Sequence, residues 1–134
     1  MILYTGGRYQ GKLNAVLSGG GYTDEDVYDF AKINVREYAE VDYRKKRIWY
    51  HLDDYIRFLL INGTDGSQTE TMIRKLIDSG KPEVVIISET GSGVIPMNKS
   101  DNVFREITGR ISVYVAENAE EVYRVVCGIK MKLK

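Results

Sequence analysis

The chain has 134 residues, long enough for one domain with a single sizeable core. Hydrophobic residues make up 43% and charged residues 28%, the proportions of an ordinary soluble globular domain. Lysine plus arginine and aspartate plus glutamate number 19 each, so no overall field favours nucleic acid or an anionic membrane.

No apolar run approaches the length of a membrane span, and Met1–Tyr4 is too short for a signal-peptide core. A single cysteine, Cys127, rules out an internal disulfide and a cysteine-rich metal site. The single histidine, His51, would need carboxylates to complete a zinc site, and no such cluster stands out. The expectation is one cytoplasmic domain over residues 1–134 with no metal ligands of its own.

The first predicted strand, Ile2–Tyr4, runs straight into Gly6-Gly7-Arg8-Tyr9-Gln10-Gly11-Lys12-Leu13. That is the outline of the phosphate-binding loop G-x-x-x-x-G-K-[ST], with Gly6, Gly11 and Lys12 in register and Leu13 where a hydroxyl is expected. Glycines open backbone angles closed to other residues, so successive N–H groups can converge on one anion. A helix predicted over Lys12–Leu17 turns its unpaired N–H groups the same way, and Lys12 reaches the outer phosphates. Gly6, Gly7, Arg8, Tyr9, Gln10, Gly11, Lys12 and Leu13 are therefore the candidate nucleotide-binding residues. Leu13 removes the group that would hold magnesium.

Ser18-Gly19-Gly20-Gly21 reads as a plain turn. Thr23–Asp26 has capping-box spacing and predicts one helical turn, with Val27–Phe30 as a second strand. From Ala31 to Arg47 the pattern fits neither period. Arg44–Arg47 is a solvated basic run or a phosphate clamp. Ile48, Trp49, Leu52, Ile56, Leu59 and Leu60 share one face at helical spacing, which predicts a helix ending at Asn62-Gly63. His51, Asp53 and Asp54 lie on or beside it and read as structural or solvated. Ser67–Glu70 is a capping box opening the next helix, which ends at Gly80 before Pro82.

Val84-Val85-Ile86-Ile87 is a continuous β-branched run, as in a parallel strand covered on both faces. Ser88–Gly93 follows it at the carboxyl end, where ligands of open α/β sheets bind. Glu89 is there a candidate for holding magnesium or orienting a nucleophile, or else it caps its own loop. Ser100 or Asp101 caps a helix whose buried face is Val103, Phe104, Ile107, Ile111 and Val115. Glu121–Cys127 is the last clear strand, and Lys130–Lys134 alternates like an edge strand. Cys127 reads as a small core residue. Three or four strands are visible, with the middle of the chain hiding at most one more. Alternating strands and helices predict an α/β three-layer fold, a central mostly parallel sheet with helices on both faces.

Several of these segments together resemble a known family. Met1–Gly7 with Gly11-Lys12 resembles the opening of the adenosylcobinamide kinase / adenosylcobinamide-phosphate guanylyltransferase enzymes of cobalamin biosynthesis. Ser88-Glu89-Thr90-Gly91-Ser92-Gly93-Val94-Ile95-Pro96 is similar to that family's N/D-E-V-G-x-G-I-V-P. Phe104-Arg105-Glu106-Ile107-Thr108-Gly109-Arg110 is similar to its F-R-D-x-x-G-R, and Ala119–Ile129 to its A-D-E-V-x-x-V-x-x-G-I ending. The resemblance implies a P-loop NTPase-like fold and ATP or GTP in the loop, with Mg2+ weakened by Leu13. It also implies a corrinoid acceptor, adenosylcobinamide, and a homo-oligomer. Lys12 and Glu89 become the candidate catalytic residues, and the loop, Glu89–Gly93 and Gly109-Arg110 are expected to converge on one nucleotide site. The family's guanylyltransferase step uses a histidine after the second strand; His51, within Trp49–Leu52, does not match that context. The implied chemistry is thus kinase chemistry. The alternatives are a non-catalytic nucleotide- or corrinoid-binding member and a P-loop-derived interaction module.

Overall fold

The structure, a computed structural model, describes residues 1–32, 41–90 and 99–134. The elements are β1 (Ile2–Gly6), α1 (Lys12–Ser18), β2 (Val27–Asp29), β3 (Ile48–Tyr50), α2 (Leu52–Ile61), α3 (Gly66–Gly80), β4 (Val84–Ser88), α4 (Lys99–Asn118), β5 (Glu121–Val126) and β6 (Ile129–Lys132). The strands form one sheet in the order β2-β3-β4-β1-β5-β6. All neighbours are parallel except β5 and β6.

Alternation along the strands builds two cores. On one face Leu3, Trp49, Val85, Ile87 and Val122 pack under α2, α3 and α4 with Ile56, Ile73, Ile107 and Ile111. On the other, Tyr4, Ile48, Val84, Ile86 and Val125 meet Val16 of α1. Every residue of β4 is buried, as its unbroken apolar run requires. Each such buried side chain contributes roughly 1.5–3 kcal/mol. The result is the predicted α/β P-loop-like arrangement, with helices on both faces of a mostly parallel sheet. Among the described residues no helix is long and apolar enough to cross a membrane.

Six strands occur among the described residues, more than the sequence pattern predicts. The main correction lies at Ile48–Leu60. Ile48-Trp49-Tyr50 is strand β3, His51 turns the chain at φ 60°, and α2 begins only at Leu52. Two buried β3 residues precede the α2 stripe at distances that imitate a helical period, and β-branched and aromatic side chains decide for the strand. Trp49 is fully buried beneath Gly80, and its indole N–H donates to the Tyr43 carbonyl at 3.1 Å.

Smaller corrections follow the same logic. Helix α3 is capped by Asp65, which accepts from the Gln68 N–H at 2.8 Å, so the box lies two residues before Ser67–Glu70. Ser100 and Asp101 lie inside α4, which already begins at Lys99. β5 ends at Val126. Cys127 and Gly128, at φ 50° and 76°, form the two-residue turn into β6, and Cys127 is exposed rather than a core residue. Ile33, Val35 and Tyr38 lie outside the described residues, as do Gly91–Gly93.

Candidate active site

Strand β1 ends between the carboxyl ends of β4 and β5, with Gly6 opposite Ser88. Gly6 has φ 141°, and a Cβ there would collide with the Val125 carbonyl, so only glycine passes this point. The loop rises to Tyr9, held at φ 60° and 99% exposed, and returns to Gly11 at φ 83°. Gln10 ties the loop down. Its side-chain oxygen accepts the Cys127 N–H at 2.7 Å, and its carbonyl accepts the Gly128 N–H at 2.8 Å.

Lys12 opens α1 yet is 6% exposed. Its ammonium donates to the Gly7 carbonyl at 2.7 Å, across the mouth of its own loop. Burial lowers its pKa below the usual lysine range, and Arg8 adds to this while Asp53 and Glu89 pull the other way. Helix α1 has 7 residues, so the loop backbone and this desolvated cation supply most of the positive potential. Leu13 packs instead with the α1-side core.

Two carboxylates reach the loop, one from the first turn of α2 and one from just past the end of β4. Asp53 is 1% exposed; its Oδ1 accepts the Ser88 N–H at 3.2 Å. Its Oδ2 has no hydrogen-bond donor among the described residues and faces the Arg8 guanidinium at 3.6 Å. Burial pushes the Asp53 carboxyl above its ordinary range. Arg8 also reaches Asp54 at 3.4 Å. Glu89 sits at the base of the loop, its N–H donating to the Gly6 carbonyl at 2.8 Å. Its carboxylate grips Arg124 through two bonds of 2.8 and 3.1 Å. Arg110 does not join them: it pairs with Glu106 and with Glu70 of α3.

Farther along the same edge, Asp29 ends β2 and His51 follows β3. The His51 Nδ1 lies 2.7 Å from Asp29 Oδ1, and Asp29 also accepts the Ala31 N–H at 2.9 Å. Burial pushes the Asp29 carboxyl up, but the bonds from His51 and Ala31 outweigh it and hold the group below its ordinary value. A cleft of about 370 Å3 opens at Phe30 and Ala31, which follow Asp29 in the chain, and is walled also by Asp54, Arg57, Phe58 and Asn62.

Sequence reasoning missed Asp53, Arg124 and the Asp29–His51 pair. The signal for Asp53 was present: it precedes Ile56 by three and Leu60 by seven, on the helical face that packs inward. Arg124 and Asp29 carry no local signal, because parallel pairing across the sheet creates their contacts.

Comparison with known proteins adds an independent line. The family described as cobinamide kinase / cobinamide phosphate guanyltransferase matches residues 52–133, a stretch that includes Asp53, Glu89 and Arg124 and begins after the Gly6–Leu13 loop. The bifunctional adenosylcobalamin biosynthesis protein CobU of Salmonella typhimurium is 41% identical over 51 residues, 38% of this chain and 28% of that protein. Its namesake from Escherichia coli is 39% identical over 51 residues, with the same coverage. With more than half of its length matched, the chain belongs to the cobinamide kinase / cobinamide phosphate guanyltransferase family.

Proposed function

We propose that the loop Gly6–Leu13 binds ATP or GTP and that the protein transfers the γ-phosphoryl group to the hydroxyl of a cobinamide-type corrinoid. The observation that carries this reading is the Lys12 ammonium, buried at the start of α1 and, among the described residues, bonded only to the Gly7 carbonyl of its own loop. A phosphate oxygen is a stronger acceptor than the Gly7 carbonyl, so Lys12 moves from one to the other at little cost. Phosphoryl transfer asks chiefly for positioning and charge neutralisation, which loop amides, Lys12 and Arg8 supply. Asp53 orients Arg8, and the Glu89–Arg124 clamp holds the loop base next to the reacting phosphate.

The described residues do not compose a magnesium site. Position 13 is apolar, and no group of three histidine, cysteine or acidic side chains among the described residues is placed to hold a metal. Magnesium therefore arrives with the nucleotide, held by phosphates and water. Family membership supports cobinamide as the acceptor, and the family resemblance supports a homo-oligomer.

The test is transfer of phosphate from ATP or GTP to adenosylcobinamide, with Lys12→Ala as the control. Turnover above that control supports the reading, and its absence refutes it. Leu13 favours a second reading, nucleotide binding without transfer. That reading requires calorimetric affinity that barely responds to magnesium, so a large magnesium-dependent gain counts against it.

A further inference from the structure

We propose that His51, held by Asp29, is the base that takes the proton from the acceptor hydroxyl, and that the acceptor lies in the cleft between Phe30-Ala31 and α2. This rests on the phosphoryl-transfer reading above.

Four observations converge. First, the dyad has the geometry of an oriented base: Nδ1 is engaged by Asp29 at 2.7 Å, and Nε2 has no partner among the described residues. Asp29 is itself fixed by the Ala31 N–H. Secondly, His51 is a non-glycine residue at φ 60°, a conformation that costs energy and clusters at functional positions. Its ring also stacks on Tyr50 with centroids 3.6 Å apart.

Thirdly, the distance suits the chemistry. Only β4 lies between β3 and β1, and β3 ends two residues below the level of Gly6, so their carboxyl ends stand about 12 Å apart. Lysine to phosphate oxygen, phosphorus to attacking oxygen, and attacking oxygen to imidazole make three contacts of about 3 Å. Fourthly, Asp54 is shared: it meets Arg8 of the loop at 3.4 Å and also lines the 370 Å3 cleft. Phosphate loop, cleft and dyad are thus neighbours along one sheet edge. Phe30 and Phe58 give the cleft apolar walls, and Asp54, Arg57 and Asn62 give it polar groups that an amide-bearing acceptor can meet.

The step balances without a further reactant. The acceptor oxygen forms a bond to the γ-phosphorus, and the bond from that phosphorus to the β–γ bridging oxygen breaks. The nucleoside diphosphate leaves with that electron pair. The hydroxyl proton passes to His51 Nε2, Asp29 stabilises the imidazolium, and the proton returns to water.

The experiment compares wild type, His51→Asn, His51→Gly and Lys12→Ala in full-length protein, measuring nucleotide affinity by calorimetry and transfer to adenosylcobinamide. Asparagine and glycine both accept a positive φ, and the asparagine amide keeps a donor toward Asp29. Both His51 variants are expected to bind nucleotide like wild type and to lose turnover on the order of 10²–10⁴-fold. Added imidazole is expected to restore part of the His51→Gly rate, which a merely structural histidine would not allow. Should His51→Gly fail to fold, His51→Asn carries the comparison. Wild-type turnover retained in His51→Asn, or lost in folded His51→Gly without imidazole rescue, overturns the proposal while leaving the kinase reading intact. A nucleotide adduct on His51 by intact mass overturns it too, since the ring is then a nucleophile. A wild type that neither binds nucleotide nor transfers phosphate removes the underlying reading, and this proposal with it.

Discussion

Gln10 Oε1 accepts the backbone N–H of Cys127 at 2.7 Å, fastening the crest of the Gly6–Leu13 loop to the β5–β6 turn. The same turn donates the Gly128 N–H to the Gln10 carbonyl, so two strongly directional bonds fix one loop residue. Without its side chain, Gln10 leaves a backbone donor to water. Gln10→Ala is expected to lower stability by about 1 kcal/mol in urea unfolding and to weaken nucleotide binding further, because the loop must then be ordered by the ligand. Equal stability and equal affinity in the variant would show that the loop needs no anchor. Cys127→Asn keeps the N–H and suits φ 50°, so it is expected to change neither quantity.

Lys12 tests the site from the other side. Lys12→Met keeps much of the packed stem and removes a buried charge. Stability is expected to hold or rise slightly, while triphosphate affinity falls tenfold or more, as for a lost charge-assisted contact of about 1.5–3 kcal/mol. Burial lowers the lysine pKa, so wild-type affinity should start to decline at a lower pH than an ordinary lysine would dictate. Calorimetry across an alkaline series reads this directly. A variant that binds triphosphate as tightly as wild type would remove Lys12 from the site.

What was legible in the sequence, and what was not, divides along one physical line. β1 and β4 are local patterns, and they fold where the patterns place them. The turn after β1 is local too, because Gly6 and Gly11 supply the positive φ that its path requires. β3 was hidden because three strand residues abut a helical stripe, and only the sheet distinguishes them. Arg124 opposite Thr5, and Asp29 opposite Tyr50, owe their partners to strand order. Gly109-Arg110 illustrates the converse. A stretch that resembles a family motif lies mid-helix, where Arg110 is held by Glu70 and Glu106.

Gly80 lies directly over the Trp49 ring, and a Cβ there would overlap two indole carbons. The indole is fully buried and bonded to Tyr43, so it cannot withdraw without breaking that bond. Gly80→Ala is expected to cost about 1–3 kcal/mol by overpacking. Gly109→Ala supplies the contrast: it lies within α4 with open space around it, and gains roughly 0.5–1 kcal/mol from helix propensity. Thermal melts of the two variants should therefore move in opposite directions. Movement the same way would mean that backbone propensity, not the Trp49 contact, governs both sites.

Asp29 and Asp53 give the stability of the protein two opposed pH dependences. Asp29 is held below its unfolded pKa by the His51 and Ala31 bonds, despite burial. Near neutral pH it is ionised in both states and its stabilisation is complete. As pH falls through 3.8, the unfolded chain takes up the proton first, and the contribution drains away toward the lower folded pKa. Asp53 is raised by burial, so the folded state binds its proton first. Ionised Asp53 therefore costs stability near neutral pH, and the cost falls as the pH drops through the raised folded value. Urea unfolding from pH 7 down to pH 3 separates the two. Wild type should exceed Asp29→Asn at neutral pH, with the gap closing only in acid. Asp53→Asn, whose amide oxygen still accepts the Ser88 N–H, should equal or exceed wild type at neutral pH and lose that advantage as acid protonates the wild-type carboxyl. Parallel pH curves for wild type and Asp53→Asn would mean that Arg8 at 3.6 Å already offsets the burial, and that Oδ2 has no unmet demand for a donor.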